Sequence, residues 1–78
     1  MRIEKRVPLS ELTMGETATI HWIRGGRMVN SRLASFGFTP GTPVEMTQNY
    51  GNGPLIVTVR GMRVALGRRE AVRIVVEW

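Results

Sequence analysis

Apolar and polar residues alternate along several short stretches of the chain, with the period of two that is typical of β-strands. In residues 17–23, Ala18, Ile20 and Trp22 fall on one face, which predicts a first strand with Trp22 in the core. Further extended or alternating stretches predict strands two to five, at residues 43–48, 55–60, 62–66 and 72–77. The pattern therefore predicts a mainly β fold.

One stretch has helical spacing instead. Val29, Leu33 and Phe36 lie at i, i+4 and i+7, which predicts a helix over residues 27–36 that ends at Gly37. Met28 beside this stripe is expected in the core or at its rim, although an exposed methionine would suit an adaptable interface. The other positions of the helix are polar or basic, and they are Arg27, Asn30, Ser31, Arg32 and Ser35. One face of this helix should pack.

Turn residues separate these elements. Residues 50–54, Tyr-Gly-Asn-Gly-Pro, are the densest turn signal and predict a hairpin with an exposed tip between the second and third strands. Residues 8–12 and 67–71 each predict a single helical turn, the first with Leu9 and Leu12 under the sheet. Met62, which begins the fourth strand, is expected in the core or at its rim.

These elements together fit a small five-stranded SH3-like barrel with one α-helix after the first strand and short helical turns. Barrel closure hides strand edges that would otherwise pair with other chains. The 78 residues have room for one hydrophobic core. We assign residues 1–7 to an N-terminal extension and residues 8–78 to the barrel domain.

No stretch of the chain predicts export or membrane insertion. The first residues lack the apolar segment of a secretory signal. No apolar run approaches the roughly 20 residues that cross a bilayer. We therefore expect a cytoplasmic protein.

The charge balance is basic. Eleven lysine and arginine residues oppose six glutamates, for a net charge of +5. This excess either serves solubility or forms a functional basic face that attracts an acidic partner, and composition leaves both open.

The supply of catalytic and metal-binding groups is poor. The chain has no cysteine and no aspartate, one histidine, His21, and six glutamates scattered along the sequence. A catalytic triad or a tight metal site needs more such groups, so we expect no enzyme activity, no cofactor and no metal site. His21 is expected at the surface or rim. Gly25, Gly26 and Arg27 either allow the chain to swing into the helix or form an anion site at its start.

The residues in order resemble a known family. Residues 32–42 read Arg-Leu-Ala-Ser-Phe-Gly-Phe-Thr-Pro-Gly-Thr, and Gly-Pro-Leu-Ile-Val and Arg-Gly-Met-Arg-Val-Ala-Leu follow at residues 53–57 and 60–66. This pattern resembles the FeoA family over nearly all of residues 8–77. The resemblance implies an SH3-like barrel that supports a FeoB-type ferrous iron transporter by contacting its cytoplasmic part.

A rigid barrel with exposed loops would bind such a partner through its polar helix face and its hairpin tip. The candidate partner-binding residues are Arg27, Met28, Asn30, Ser31, Arg32, Tyr50 and Asn52. The alternative functions are a small basic nucleic-acid-binding barrel and a regulatory SH3-like module. We expect no nucleic acid partner, because the aromatic residues do not cluster with the arginines. Trp78 either closes the barrel or meets a neighbour, which with exposed strand edges leaves weak self-association open.

Overall fold

A computed structural model describes residues 5–78 of the chain. The extension predicted for residues 1–7 lies partly outside the described residues, and its Arg6 and Val7 belong to the first strand. The elements in chain order are β1 (Arg6–Pro8), a 3-10 turn (Leu9–Glu11), β2 (Thr17–Ile23), α1 (Arg27–Ser35), β3 (Pro43–Gln48), β4 (Leu55–Val59), β5 (Met62–Leu66), α2 (Arg68–Ala71) and β6 (Ile74–Glu77).

All six strands belong to one antiparallel sheet with the order β1-β6-β2-β3-β4-β5. The mainly β class is confirmed. The described chain has one strand more than the five predicted, because Arg6 and Pro8 pair with Glu77 and Val75 of β6. A strand of three residues is too short to show an alternating pattern in the sequence.

The core forms from the inward positions of the strands together with the two helical turns. Leu9 and Leu12 of the 3-10 turn segment are fully buried, as predicted. Buried aliphatic residues from every strand, Leu33 of α1, Ala71 of α2 and the loop residue Phe38 complete the cluster. Trp78 is partly buried and packs against this cluster, while the Lys5 ammonium lies 5.0 Å from the centre of its ring. This packing supports a role for Trp78 in closing the barrel rather than in contacting a neighbour.

The prediction that Trp22 is in the core was wrong. Its exposed fraction is 56%, whereas Ile23 is buried. The register against β6 shifts between Ile20, which pairs with Val76, and Trp22, which pairs with Val75. His21 is therefore the extra residue of a β-bulge. An extra residue moves all later side chains of the strand to the opposite face, which turns Trp22 outward and Ile23 inward.

Phe36, expected on the packed face of the helix, is exposed, and Phe38 on the other side of Gly37 is buried. The helix ends at Ser35, and Gly37 has a φ of +98°, a conformation that favours glycine. The Gly37 amide donates to the Ala34 carbonyl and the Phe38 amide to the Leu33 carbonyl, which is the Schellman arrangement. This reversal places Phe38 in the core and leaves Phe36 40% exposed.

Both methionines expected at the core or its rim are exposed. Met28 is 86% exposed, because α1 turns Val29 and Leu33 toward the core and position 28 lies about 100° round the helix from Val29. Met62 follows a tight turn in which Arg60 and Gly61 have positive φ, and it lies on β5, an end strand of the sheet, with 57% of its surface exposed.

Among the residues that the structure describes, no helix has both the length and the hydropathy needed to cross a bilayer.

Candidate functional site

The seven candidate partner-binding residues lie on two separate segments. Five of them, Arg27, Met28, Asn30, Ser31 and Arg32, are exposed on α1. Tyr50 and Asn52 are exposed in the loop between β3 and β4. Residues 36–42 connect α1 to β3, and the loop that carries Tyr50 and Asn52 follows β3.

Pairing of β2 with β6 positions α1 beside α2. Ile23, the last residue of β2, pairs with Ile74, the first residue of β6. The helix α1 follows β2 and α2 precedes β6, so both helices lie at the same end of this strand pair. The Arg24 amide donates to the Arg73 carbonyl over 2.6 Å, which ties together the two segments that connect the helices to the strands.

A groove of about 450 Å³ lies between the two helices. We call it the α1–α2 groove, and its lining residues are Met28, Val29, Arg32, Arg69, Glu70 and Arg73. Arg32 Nη2 of α1 lies 3.1 Å from Glu70 Oε2 of α2, an ion pair across the groove. A second hollow of about 360 Å³ is lined by Arg24, Val72 and Arg73, so Arg73 borders both.

The charge of this region is positive. In residues 5–78 the Arg24, Arg69 and Arg73 side chains are exposed and have no ion-pair partner. Among the described residues, Glu70 is the single carboxylate of the two linings, and it pairs with Arg32. The groove therefore offers apolar surface from Met28 and Val29 next to arginines that are available to an outside group.

The hairpin tip is held at its base by Asn49. The Asn49 side-chain nitrogen donates to the carbonyls of Ser10 and Leu12 over 3.1 and 2.7 Å. Its oxygen accepts from the Gly51 amide over 3.0 Å and from Arg68 Nη2 over 2.5 Å. These bonds fix the loop that carries Tyr50 and Asn52 while leaving both side chains exposed.

The structure brings part of the predicted site together and separates the rest. Met28 and Arg32 line the α1–α2 groove, whereas Arg27, Asn30 and Ser31 are exposed on α1 outside its lining. Tyr50 and Asn52 line neither this groove nor the second hollow. The helix α2 links the two segments, through Glu70 to Arg32 and through Arg68 to Asn49.

Sequence reasoning missed the α2 side of the groove. Residues 67–71 were predicted to form a helical turn, but Arg69, Glu70 and Arg73 received no role. Three arginines in and beside this helical turn, Arg68, Arg69 and Arg73, were the available signal. Their position opposite α1 follows from the pairing of β2 with β6. These strands are distant in sequence, so no local pattern predicts that they pair.

His21 lies at the surface, as predicted, and it contacts a carboxylate that is remote in sequence. Its Nδ1 is 3.1 Å from Glu77 Oε2, the same oxygen that accepts from Arg6 Nε over 2.9 Å. The three side chains come from β2, β6 and β1, so this contact joins three neighbouring strands. Within residues 5–78, no three histidine, cysteine, aspartate or glutamate side chains are close enough together to hold a metal ion.

Comparison with known proteins gives a consistent result. The FeoA domain family model matches residues 7–77. A Methanocaldococcus jannaschii protein provisionally named Fe(2+) transport protein A is 34% identical over 70 residues, which are 90% of this chain and 84% of that protein.

Two solved structures are similar over most of their length. The crystal structure of an iron uptake regulatory protein, FeoA, has a TM-score of 0.89 and 35% identity, covering 95% of this chain and 100% of that one. The second structure is Stenotrophomonas maltophilia FeoA, complexed with zinc and described as a prokaryotic SH3 domain protein. It has a TM-score of 0.77 and 34% identity, covering 87% of this chain and 86% of that one. The SH3-like fold predicted from the sequence is thereby confirmed.

Proposed function

The chain belongs to the FeoA domain family, and on that premise we propose that it is a non-catalytic accessory protein of ferrous iron uptake. In this role it works in the cytoplasm, binds the cytoplasmic part of a FeoB-type membrane transporter and supports transport. The observation that carries the proposal is the family match over residues 7–77. The names of its relatives, which refer to Fe(2+) transport and iron uptake regulation, support it.

The surface of the fold supports a binding role. On α1, Leu33 is the one buried residue, so most of this helix is available to a partner. Tyr50 and Asn52 extend from a loop that Asn49 holds in place. A rigid scaffold that presents exposed side chains on a helix and a loop is a common arrangement for binding.

The proposed partner complex would depend on arginine. The guanidinium group presents several donors in a planar fork that pairs with carboxylates at two points. Arg27 and Arg32 on α1 are exposed, and 66% of the Arg32 side chain is accessible although Glu70 lies beside it. We therefore propose carboxylates on the transporter as the counterpart of this helix face.

A titration of the purified chain with the purified cytoplasmic region of the transporter tests the proposal. We expect saturable binding at low ionic strength, measured by calorimetry. No binding under this condition would refute the proposed function.

A further inference from the structure

The α1–α2 groove combines an apolar surface with a positive rim. Val29 is half-buried against the core and forms apolar surface in the groove. Met28 stands beside it with 86% of its surface exposed. Methionine adapts its shape to different apolar neighbours and is frequent on binding surfaces. This part of the groove is suited to one apolar side chain of a partner.

The rim selects the charge of that partner. Arg69 and Arg73 border the groove, and Arg24 and Arg73 border the adjoining hollow, without an ion-pair partner among residues 5–78. Glu70 does not offset them, because Arg32 lies 3.1 Å from its carboxylate. Carboxylates placed along this rim would meet three available guanidinium groups, whereas basic side chains would be repelled.

The shape of the region indicates a chain segment. The groove and the hollow have volumes of about 450 and 360 Å³ and share Arg73 as a lining residue, so they adjoin beside α1 and α2. Pockets of roughly 300 Å³ or more are large enough for a bound group. Both are concave, which suits an inserted side chain better than the flat surface of a membrane.

From these observations we propose that the α1–α2 groove binds an acidic segment of the transporter's cytoplasmic part. The segment inserts one apolar side chain between Met28 and Val29 and places carboxylates against Arg24, Arg69 and Arg73. The identity of the partner rests on the proposed function. The location and the chemistry of the site rest on the groove itself.

Charge reversal at the groove tests this inference with a matched control. The full chain carrying Arg73→Glu is titrated with the transporter's cytoplasmic region beside Arg63→Glu, which reverses an exposed arginine on β5 that lines neither hollow. We expect Arg73→Glu to raise the Kd at least about ten-fold and Arg63→Glu to change it less than about two-fold. Circular dichroism spectra verify that both variants are folded.

Removal of the apolar contact is the second arm. Met28→Ser should raise the Kd roughly five-fold or more, and Met62→Ser, which changes an exposed methionine on β5, should leave it within about two-fold of wild type. If the wild type binds and the groove variants bind equally well, the groove is not the docking site although the proposed function stands. If the wild type does not bind, the proposed function fails and this inference fails with it.

Sedimentation with lipid vesicles tests the other candidate for binding at the groove, which is a membrane surface. The wild type and Arg73→Glu are sedimented with phosphatidylglycerol vesicles and with neutral phosphatidylcholine vesicles. We expect no sedimentation with either at about 0.15 M salt. Sedimentation with the anionic vesicles that Arg73→Glu abolishes would overturn the proposal in favour of a membrane surface.

Discussion

The Asn49 side chain joins three parts of the described structure. It bonds to the 3-10 turn segment through Ser10 and Leu12, to its own loop through Gly51, and to α2 through Arg68. An amide side chain offers two donor hydrogens and a carbonyl oxygen with two lone pairs, so these four bonds use its full capacity. A half-buried residue in this position should contribute to stability through hydrogen bonds rather than through packing.

Replacing Asn49 with alanine should therefore destabilise the fold. We expect the free energy of unfolding to fall by about 1–3 kcal/mol, because two carbonyls in part-buried hydrogen bonds and the Arg68 side chain lose their partner. Its neighbour Tyr50 is exposed, and Tyr50→Ala should change the value by less than about 0.5 kcal/mol. Urea denaturation measures both, and equal losses would contradict this account of the loop.

Glu16 should make stability depend on pH. Its carboxylate accepts from the Thr13 amide over 2.6 Å and from Thr13 Oγ1 over 2.9 Å. These bonds, the amide first, lower the pKa of Glu16, with a smaller contribution from the charge of Lys5 and against the effect of burial. Because the folded pKa is the lower one, the stabilisation is present above the ordinary glutamate pKa of about 4.3 and is lost as pH falls through the folded value.

The Glu16→Gln variant isolates this effect. We expect it to be less stable than wild type at about pH 7 and the difference to shrink as the pH falls below about 4, in urea denaturation at each pH. Glu45→Gln is the control, because Glu45 is exposed on β3 and makes no side-chain hydrogen bond within residues 5–78. A difference for Glu16→Gln that is the same at every pH would contradict the assignment.

At the scale of elements, α1 is attached to the domain by few contacts. Leu33 is its one buried residue, and Val29 packs against the core from a half-buried position. The Schellman arrangement at Gly37 fixes the end of the helix and carries the chain into the core at Phe38. The exposed face of α1 is therefore held in place by one fully buried side chain and a well-defined end.

Two apolar positions of α1, one buried and one exposed, should respond differently to truncation. Leu33→Ala should lower the free energy of unfolding by about 2–5 kcal/mol, because it leaves a cavity in the core. Met28→Ala should change it by less than about 0.5 kcal/mol, because that side chain is exposed. Urea denaturation of the two variants measures both free energies of unfolding. A loss above about 1 kcal/mol for Met28→Ala would show that Met28 serves the fold rather than a partner.

The sequence predicted most elements closely, because their periodicity is local. The bounds of β2, β3 and β5 are those expected from alternation, and those of α1 differ by one residue at its end. The errors have nonlocal causes. Trp22 is exposed because of a bulge formed against β6, and β1 becomes a strand only by pairing with β6. Periodicity within either strand cannot contain that information.

The candidate site was predictable to the extent that exposure on α1 and in the hairpin loop follows from polar patterning. The α1–α2 groove could not be predicted, because it exists only where the folded chain places α2 beside α1. Arg32 and Glu70 are remote in sequence, and the pairing of β6 with β2 brings their helices together. The bond between Asn49 and Arg68 depends in the same way on the tertiary arrangement.

At the scale of the whole molecule, the net charge of +5 should govern association. Opposite charges on a partner attract the chain over a distance that salt shortens, from about 10 Å at 0.1 M to 3 Å at 1 M. We expect the Kd for the transporter's cytoplasmic region to rise roughly ten-fold or more between about 0.05 and 0.5 M salt, in calorimetric titrations. A Kd that does not depend on salt would contradict a role for the arginines.

A positive net charge also attracts nucleic acid, so binding to a protein partner must be distinguished from binding to DNA. In a gel-shift assay at about 0.15 M salt, the chain should not slow the migration of duplex DNA. A shift at that salt concentration, with an affinity that falls steeply with the logarithm of the salt concentration, would favour the alternative of a nucleic-acid-binding barrel.

Uptake of radiolabelled ferrous iron by cells that lack the gene for this chain tests the central claim most directly. We expect uptake to fall on deletion and to return when the wild-type chain is supplied, and we expect deletion to have no further effect in cells that also lack the transporter. Uptake that is unchanged by deletion in cells that keep the transporter would contradict the claim.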